Sequence, residues 1–245
     1  MSNRRFSILI PTLNEENYIG GILGDLADQS YKDFEVIVVD AKSKDKTKEA
    51  VLKFKDKLDI SFYTSSKKGV SFQRNYAAKK AKYNDLIFFD ADVLIEKKFL
   101  EKIDSFLTNK PVGVLTSWNV PISNRIDDRF FFFLYNSIFT EISKFFHPVG
   151  AGVFIYCSKK AFDHVGGFDE EAFIAEDYDL IRRIFNKGHK YALLRDPVIR
   201  FSVRRYNEAG RLNHLVKILK LGSYYYKKGP VKNHKLFEYE SGKHK

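Results

Sequence analysis

Short apolar runs alternate with amphipathic stretches through the first half of the chain. Short apolar runs predict buried strands, and apolar residues spaced three or four positions apart predict helices with one buried face. The predicted strands cover residues 6–10, 34–39, 60–63, 86–89 and 112–116. The predicted helices between them cover residues 19–27, 45–57, 69–82 and 97–107.

The predicted strands are apolar at nearly every position, which is typical of a parallel sheet with helices on both faces. The alternation of strand and helix therefore predicts an α/β fold with a Rossmann-like, mostly parallel sheet flanked by helices. No linker or low-complexity stretch interrupts residues 1–245, so we expect a single domain.

The second half of the chain is less regular. An aromatic-rich helix is predicted for residues 129–145, followed by a strand at 152–156 and a helix at 176–186. Two short strands are predicted at 191–194 and 198–202, then a last helix at 210–226 and a basic tail at 227–245 that we expect to be partly loose.

The composition excludes several classes of protein. Hydrophobic residues make up 44% of the 245 positions and charged residues 30%, which excludes a disordered chain. Cys157 is the only cysteine, so there is no intramolecular disulfide framework and no multi-cysteine metal site. No apolar run approaches the roughly 18 residues that cross a bilayer. We expect a cytoplasmic chain, either soluble or attached only to the membrane face.

The formal net charge of +11 favours a polyanionic partner. Nucleic acid, an anionic lipid surface and phosphorylated small molecules all satisfy this condition, and charge alone does not choose among them. A nucleic-acid-binding protein would carry a recognisable module with basic and aromatic residues on one face. The sequence shows no such module, so we expect no nucleic-acid partner.

Polar residues follow three predicted strands, at positions 11–16, 40–47 and 90–92. Ligands of open parallel sheets bind beyond the carboxyl ends of the strands, so these positions are candidates for a site. Two of the clusters also have a purely local explanation. Asn14 would suit the cap of the first helix, and Ser43 or Asp45 the cap of the second.

The third cluster is Asp90-Ala91-Asp92. In an extended segment, side chains two positions apart point to the same side, so both carboxylates would face one ligand. Two hard oxygen ligands suit Mg²⁺ or Mn²⁺ bridging a diphosphate. An ordinary turn is the alternative, but an apolar strand leads directly into this pair, and burying two like charges without a cation is costly.

Five motifs in order resemble those of family 2 glycosyltransferases over about residues 6–205. They are Pro11-Thr12-x-Asn14-Glu15, Val38-Val39-Asp40, Gly69 with Arg74-Asn75, Asp90-Ala91-Asp92, and Glu176-Asp177. The resemblance implies a GT-A fold, inversion at the anomeric carbon, and a donor that is a UDP- or GDP-linked sugar. It divides the domain into a nucleotide-sugar-binding half, residues 1–117, and an acceptor half, residues 118–226.

The resemblance also implies roles for the first two loops. Pro11, Thr12, Asn14 and Glu15 match the loop that holds the nucleoside, and Asp40 matches the aspartate that binds the base. The commoner pattern is Asp-Gly-Ser, whereas here Asp40 is followed by Ala-Lys-Ser.

Further matches concern the diphosphate and the metal. Arg74, on the helix after Gly69, matches the basic residue near the nucleotide. Asp90 matches the ribose or metal contact, Ala91 lies between the two acids, and Asp92 matches the principal ligand of a Mn²⁺ or Mg²⁺ cofactor. Some relatives have a histidine as a further metal ligand, and residues 198–202 contain none.

The match at the second acidic motif implies that Asp177 is the catalytic base, with Glu176 beside it. Glu176 and Asp177 also suit the first turn of a helix, where the helix dipole stabilises acids. The Gln-x-x-Arg-Trp signature of processive relatives is absent, and Arg204-Arg205-Tyr206 stands in its place. We therefore expect transfer of one sugar per encounter. Arg204 and Arg205 are expected to clamp the diphosphate, with a solvated basic strand end as the alternative.

The acceptor is expected to be a glycan or a lipid-linked molecule. Residues 147–152 are either a glycine-containing turn or a loop that approaches the ligand closely. The aromatic residues 129–146 are expected to form core, with a homodimer contact and a lipid surface as alternatives. Residues 224–228, Tyr-Tyr-Tyr-Lys-Lys, have the chemistry of a peripheral anchor on an anionic membrane. A Mg²⁺-dependent sugar nucleotidyltransferase is the first alternative function, and a basic nucleic-acid-binding protein is the second.

Overall fold

The structure, a computed structural model, describes residues 4–150, 152–204, 220, 224–225 and 227–232. These residues form a sheet in the strand order β3-β2-β1-β4-β7-β6-β8-β5. The strands are β1 (Phe6–Thr12), β2 (Phe34–Asp40), β3 (Ile60–Thr64), β4 (Asp85–Phe89), β5 (Val93–Leu94), β6 (Val114–Ile122), β7 (Phe154–Ser158) and β8 (Tyr191–Ser202).

The first four long strands are parallel to one another. In β1, Phe6 lies opposite Phe34 of β2 on one side and opposite Asp85 of β4 on the other. The strand β3 adds to β2 in the same direction. The carboxyl ends of β1, β2 and β4 therefore lie at one edge of the sheet, as the sequence predicts.

The rest of the sheet is mixed. β7 runs antiparallel to both β4 and β6, while β8 is parallel to β6 and antiparallel to β5. The direction of β7 follows from its entry point, since the loop before it lies at the carboxyl ends of the parallel strands and the chain must run back from there. The expectation of a mostly parallel sheet therefore describes β1–β4 best.

Helices cover both faces of the sheet. They are α1 (Ile19–Ala27), α2 (Thr47–Leu52), α3 (Val70–Lys80), α4 (Phe99–Asn109), α5 (Ile126–Leu134), α6 (Glu141–Phe146), α7 (Lys159–His164) and α8 (Glu176–Asn186). Ile8 and Ile10 of β1 belong to one buried cluster, with α1 and α4. Leu9 between them belongs to a second cluster, with α3, α7 and α8. This alternation is what two-faced burial of a strand requires.

The aromatic segment departs most from its prediction. The structure has α5, a π-helical segment Tyr135–Thr140 and α6 where the sequence predicts one helix at 129–145. The prediction that this segment forms core is wrong, because most of its large apolar side chains are exposed. The apolar pattern is nearly continuous from Phe130 to Tyr135, so it cannot tell which side of the helix faces the sheet.

Smaller departures concern element lengths. The two strands predicted at 191–194 and 198–202 are one strand, β8, with an irregular register opposite Ser117 and Asn119. The second helix is shorter than predicted, and β5 and α7 were not predicted. Most of the last predicted helix, 210–226, lies outside the described residues. None of the helices among the described residues is long and apolar enough to span a membrane.

The start of the basic tail is docked on the domain. Val231 forms an antiparallel bridge with Ile174, and Lys232 forms ion pairs with Asp169 and Glu171 at 2.8 and 3.0 Å. These contacts hold the chain against the loop that precedes α8. Residues 233–245 lie outside the described part of the chain.

Candidate active site

Asp40 is the last residue of β2, and its buried carboxylate accepts several hydrogen bonds. Its carboxylate accepts from the Thr12 hydroxyl at 3.1 Å, from the Ser43 backbone N–H at 2.8 Å and from the Ser43 hydroxyl at 2.5 Å. Lys42 has a left-handed backbone with φ of 61°, which turns the chain so that Ser43 comes back to Asp40. The Ala-Lys insertion before Ser43 therefore preserves the contact between the serine and this aspartate.

The loops after β1 and β2 are bonded to each other, and Asp45 in addition accepts from the Thr47 N–H at the start of α2, at 3.1 Å. The Asn14 backbone N–H donates to the Ser43 hydroxyl at 2.8 Å, and the Asn14 side-chain oxygen accepts from the Lys44 N–H at 2.9 Å. The Glu15 N–H donates to the Thr47 hydroxyl at 2.8 Å. Because α1 begins only at Ile19 and has no side-chain cap, the helix-cap explanation of Asn14 is wrong.

Gln73 is a site residue that the sequence analysis did not identify. Its side-chain amide donates to the Thr12 carbonyl at 2.9 Å and to the Val39 carbonyl at 2.7 Å. It thereby ties α3 to the ends of β1 and β2, while Pro11 lies opposite Val39 in the ladder. The signal for its importance is the polar run at the start of α3, a helix that lies against the sheet.

Gly69 precedes α3 with φ of 133°, a conformation that favours glycine, and Arg74 lies one turn further on. The Arg74 guanidinium is buried and donates to Asp90 at 2.8 Å, to Glu176 at 3.0 Å and to the Gly152 carbonyl at 3.1 Å. Arg74 therefore joins the end of β4, the loop before β7 and the start of α8, three segments far apart in the sequence.

Asp177 lies in the first turn of α8, next to Glu176. Its carboxylate accepts from the Gly152 N–H at 2.5 Å and from the Tyr178 N–H at 2.8 Å. Burial and repulsion by Glu176 raise the pKa of Asp177 to about 7. The helix dipole alone would lower the pKa, so the explanation of Asp177 as an ordinary acid at a helix start does not account for its environment.

The approach of the loop before β7 depends on Gly152. A Cβ atom at this position would lie 3.0 Å from the Arg74 guanidinium and 3.0 Å from the Asp177 carboxylate. A side chain here would crowd both groups, so the glycine favours this close approach of the loop to the two side chains. Of the two explanations for residues 147–152, this contact favours the close approach to a functional site, although Ala151 itself lies outside the described residues.

Arg204 lies two residues after the end of β8 and borders the site. Its guanidinium binds both carboxylate oxygens of Glu15, at 2.7 and 2.8 Å, and lies 3.3 Å from Asp92. It also stacks on the Tyr18 ring at 4.2 Å from its centre. The alternative of a solvated basic strand end is therefore wrong for Arg204, while Arg205 lies outside the described residues.

The chemistry of Asp90 and Asp92 fits a divalent cation. Both are carboxylates with hard oxygen atoms, and buried Ala91 separates them. Each already faces positive charge, since Asp90 contacts Arg74 and Asp92 contacts Arg204. Within the described part of the chain, no three His, Cys, Asp or Glu side chains form a group that could hold a metal ion. A bound diphosphate or water would supply further oxygen ligands.

A pair of tyrosines links the aromatic segment to this site. The hydroxyl of Tyr135, in the π-helical segment, lies 2.9 Å from the hydroxyl of Tyr178, and Tyr225 meets the Tyr178 ring edge-on at 5.7 Å. The sequence analysis did not assign Tyr135 or Tyr178 to the site, because nothing in the sequence pairs positions so far apart.

Acids from separate segments thus meet at one edge of the sheet, where two buried arginines join them. A family model described as Glycosyl transferase family 2 matches residues 7–166, more than half of the chain. The chain belongs to glycosyl transferase family 2. The resemblance stated from its motifs is confirmed.

Two curated family members match shorter stretches. The poly(ribitol-phosphate) beta-N-acetylglucosaminyltransferase TarS of Staphylococcus aureus (strain Mu50) is 36% identical over 115 residues, which cover 45% of this chain and 20% of TarS. The dolichyl N-acetyl-alpha-D-glucosaminyl phosphate 3-beta-D-2,3-diacetamido-2,3-dideoxy-beta-D-glucuronosyltransferase of Methanococcus voltae is 34% identical over 100 residues, which cover 39% of this chain and 31% of that protein. The chain therefore matches only a minor part of each relative.

Solved structures confirm the fold. The crystal structure of S. aureus TarS 1–349 in complex with UDP-GlcNAc matches with a TM-score of 0.69 and 25% identity, over 82% of this chain and 59% of that one. The mannosyltransferase PcManGT from Pyrobaculum calidifontis, in complex with GDP-Man and Mn²⁺, matches with a TM-score of 0.73 and 21% identity, over 94% of this chain and 66% of that one. The family 2 chain therefore has the expected GT-A fold.

Proposed function

We propose that this member of glycosyl transferase family 2 moves a sugar from a nucleotide-diphospho-sugar to an acceptor hydroxyl, with inversion and one sugar per encounter. The observation that carries the proposal is the meeting of separate segments at one edge of the sheet. Arg74 joins Asp90 to the loop that holds Asp177, and Arg204 joins Glu15 to Asp92.

The donor nucleoside is assigned to the loops after β1 and β2. Asp40 is buried beside Thr12 and Ser43, and a carboxylate at a strand end suits a base N–H or a ribose hydroxyl. The bonded pair of loops formed by Asn14 and Glu15 is rigid enough to orient a nucleoside. TarS was solved with UDP-GlcNAc, which supports a UDP-linked donor, with a GDP-linked donor as the alternative.

The diphosphate is assigned to Asp90, Asp92 and the neighbouring Arg204. Asp92 and Asp90 would hold Mn²⁺ or Mg²⁺, which when bound supplies a Lewis acid that neutralises charge on the leaving diphosphate. Arg204 stands next to Asp92 and suits a phosphate oxygen, because a guanidinium grips oxygen pairs with two parallel hydrogen bonds. The same role for Arg205 stays a prediction.

Asp177 is assigned the role of the general base. The attacking hydroxyl must lose its proton as it bonds to the anomeric carbon, and a carboxylate within hydrogen-bond reach can accept that proton. Burial raises the pKa of Asp177, so its ionised form is more basic than an exposed aspartate. Attack from the side opposite the leaving diphosphate inverts the anomeric centre without a covalent sugar–protein intermediate.

The acceptor is assigned to the second half of the domain, residues 118–226, and the donor to the first half, residues 1–117. Gly152 brings the loop before β7 to the Asp177 carboxylate, where an acceptor hydroxyl must lie. The acceptor is a glycan or a lipid-linked molecule. The name of the Methanococcus voltae relative, which includes a dolichyl phosphate, supports a lipid-linked one.

A thermal-shift screen of UDP- and GDP-sugars, with and without Mn²⁺, tests the donor and the metal together. The matching donor at about 100-fold excess over its Kd should raise the melting temperature by roughly 5–10 °C. Removing the metal with EDTA should abolish most of this shift. The Asp92→Asn variant should lose the metal-dependent part of the shift, and Asp40→Ala should weaken the shift whether or not metal is present.

The exposed Asp163→Asn variant, on α7 and outside the site, serves as the matched control and should behave as the wild type. Donor shifts that are the same with EDTA and with Mn²⁺ would remove the metal assignment. Shifts that survive unchanged in both site variants would place the donor elsewhere.

A further inference from the structure

The segment from α5 to α6 exposes a large apolar surface. Its outward side chains, the apolar face, are Ile126, Phe130, Phe133, Leu134, Ile138, Phe139, Ile142, Phe145 and Phe146. Their exposed fractions lie between 37% and 84%. At about 1.5 Å per residue the 21-residue segment is roughly 30 Å long.

The apolar face lies on one side of a folded segment. Outward residues recur at intervals of three or four, while Phe132, Asn136 and Thr140 are buried on the other side. Asn136 anchors that side to β6, accepting from the Asn119 N–H at 3.2 Å and donating to the Asn119 carbonyl at 2.8 Å. The orientation that exposes the phenylalanines is therefore fixed by buried hydrogen bonds.

The exposed area of the apolar face is large enough to indicate a binding partner. Nine large side chains, each exposing on the order of 100 Å², amount to roughly 900 Å², whereas the largest patch on a typical monomer is about 300–600 Å². Leaving such an area in water forgoes the free energy that burial would give, at about 25 cal/mol per Å². A partner that covers it needs an apolar layer of similar extent.

Charge favours a lipid surface over a second copy of the chain. The net charge of +11 makes two copies repel, whereas an anionic bilayer attracts each basic residue near it by about 1 kcal/mol. Two of the three acids of the segment pair with cations within the protein, and the third, Asp128, is buried and accepts a hydrogen bond from the Ser123 hydroxyl at 2.5 Å. Asp127 pairs with Arg125, and Glu141 pairs with Lys144 and Arg195.

Exposed basic side chains accompany the apolar face. Arg129 is exposed beside Phe130. Arg195, which also pairs with Glu141, is exposed near the other end, where it stacks over the Trp118 ring. An amphipathic helix with phenylalanines on one side and basic residues at its margins is the pattern that lies in the plane of a membrane interface.

We propose that the apolar face docks on an anionic lipid bilayer. The contact is continuous with the candidate active site, because Tyr135 of the same segment bonds Tyr178, the neighbour of Asp177. Docking would bring the site to the level of the lipid headgroups, where the reactive end of a lipid-linked acceptor lies. Membrane docking does not itself depend on the proposed sugar transfer.

Vesicle co-sedimentation of the full chain, without donor or metal, tests the proposal. The wild type should bind vesicles of phosphatidylcholine with about 30 mol % phosphatidylglycerol, less at high salt and less to phosphatidylcholine alone. The variant Phe130→Ser/Phe133→Ser/Phe146→Ser should partition about tenfold or more weakly, since three apolar contacts are lost. Leu52→Ser, on the exposed side of α2, is the matched control and should bind as the wild type.

The substituted side chains are exposed, so the triple variant should keep its melting temperature, which confirms that the fold is intact. Wild-type protein that does not bind the anionic vesicles, or a triple variant that binds them as well as the wild type, would overturn the proposal. A wild-type dimer in sedimentation velocity that the triple variant loses, without vesicle binding, would assign the apolar face to a second copy. Failure of vesicle binding leaves the sugar-transfer proposal standing, and failure of sugar transfer leaves the vesicle result standing.

Discussion

The Asp177→Asn variant is expected to lose sugar transfer by about 10²–10⁴-fold, the usual contribution of a general base. Asparagine has nearly the same shape and can keep the hydrogen bond from the Gly152 N–H, but it cannot accept a proton from the acceptor. Donor binding should therefore be nearly unchanged. Transfer rate and donor thermal shift, measured on the same preparation, check both parts. Transfer at the wild-type rate would remove Asp177 from the mechanism.

The pH dependence of this variant tests the same assignment. The base must be ionised, so wild-type transfer should rise with pH through about 7, where Asp177 titrates, and the variant's residual activity should lack this rise. Stability gives a second signature. The pKa of Asp177 is 3.8 before burial and is raised in the folded state, so the folded wild type holds the proton longer and loses stability as pH rises from about 4 to 7.

Asparagine cannot ionise, so the melting temperature of Asp177→Asn should rise relative to that of the wild type as pH rises from about 4 to 7. This change in the difference should persist at higher pH. A constant difference between the two proteins at all pH values would mean that Asp177 has an ordinary pKa in the folded state.

The Arg74→Met variant is expected to lose both stability and transfer. Methionine fills much of the volume of the buried Arg74 but leaves the half-buried Asp90 and Glu176 without their cation, and breaking a buried ion pair from one side costs up to about 3–5 kcal/mol. The first turn of α8, which carries Asp177, would then lose its connection to the end of β4, so transfer should fall further than the folded fraction explains. Denaturant unfolding and transfer rates at a temperature where the variant is folded measure the two effects separately.

Arg4→Met is the matched control for this substitution. Arg4 also pairs with two acids, Asp85 at 2.7 Å and Asp104 at 3.3 Å, but it lies at the opposite end of the strands from the candidate active site. This control should lower stability while leaving transfer by the folded protein unchanged. Equal transfer by folded Arg74→Met and folded Arg4→Met would show that Arg74 is only structural.

The sequence alone was enough to place the acids at the edge of the sheet. Polar residues follow directly after β1, β2 and β4, and the carboxyl ends of parallel strands must share one edge. Asp40 and Asp90 could therefore be located from a simple alternation of apolar and polar runs. The α/β sheet was predictable for the same reason, and its GT-A type was implied by the resemblance of the five motifs in order.

The connections inside the site were not predictable in this way. Arg204 and Glu15 are 189 positions apart, and no periodicity in the chain relates them. Gln73 gave only a weak signal, because a polar side chain in a helix usually faces water and here it bonds two strand ends. Such long-range pairs depend on how the whole sheet brings its loops together.

The aromatic segment shows a different limit of sequence reasoning. A run such as residues 130–135 is apolar on every side of a helix, so its pattern does not reveal which side is buried. The buried side is chosen by Asn136, whose side chain bonds the backbone of β6. A single polar residue directly after the apolar run therefore determines which side of the helix is buried.

The measurement that most directly tests the central claim is phosphorus NMR of the wild-type protein with its stabilising nucleotide-sugar, Mg²⁺ and added pyrophosphate. A sugar transferase breaks the bond between the anomeric carbon and the diphosphate, so the signals of a nucleoside diphosphate should grow, even when water is the acceptor. They should not grow with Asp177→Asn. Formation of nucleoside triphosphate and sugar phosphate from the added pyrophosphate would instead show nucleotidyl transfer and contradict the account.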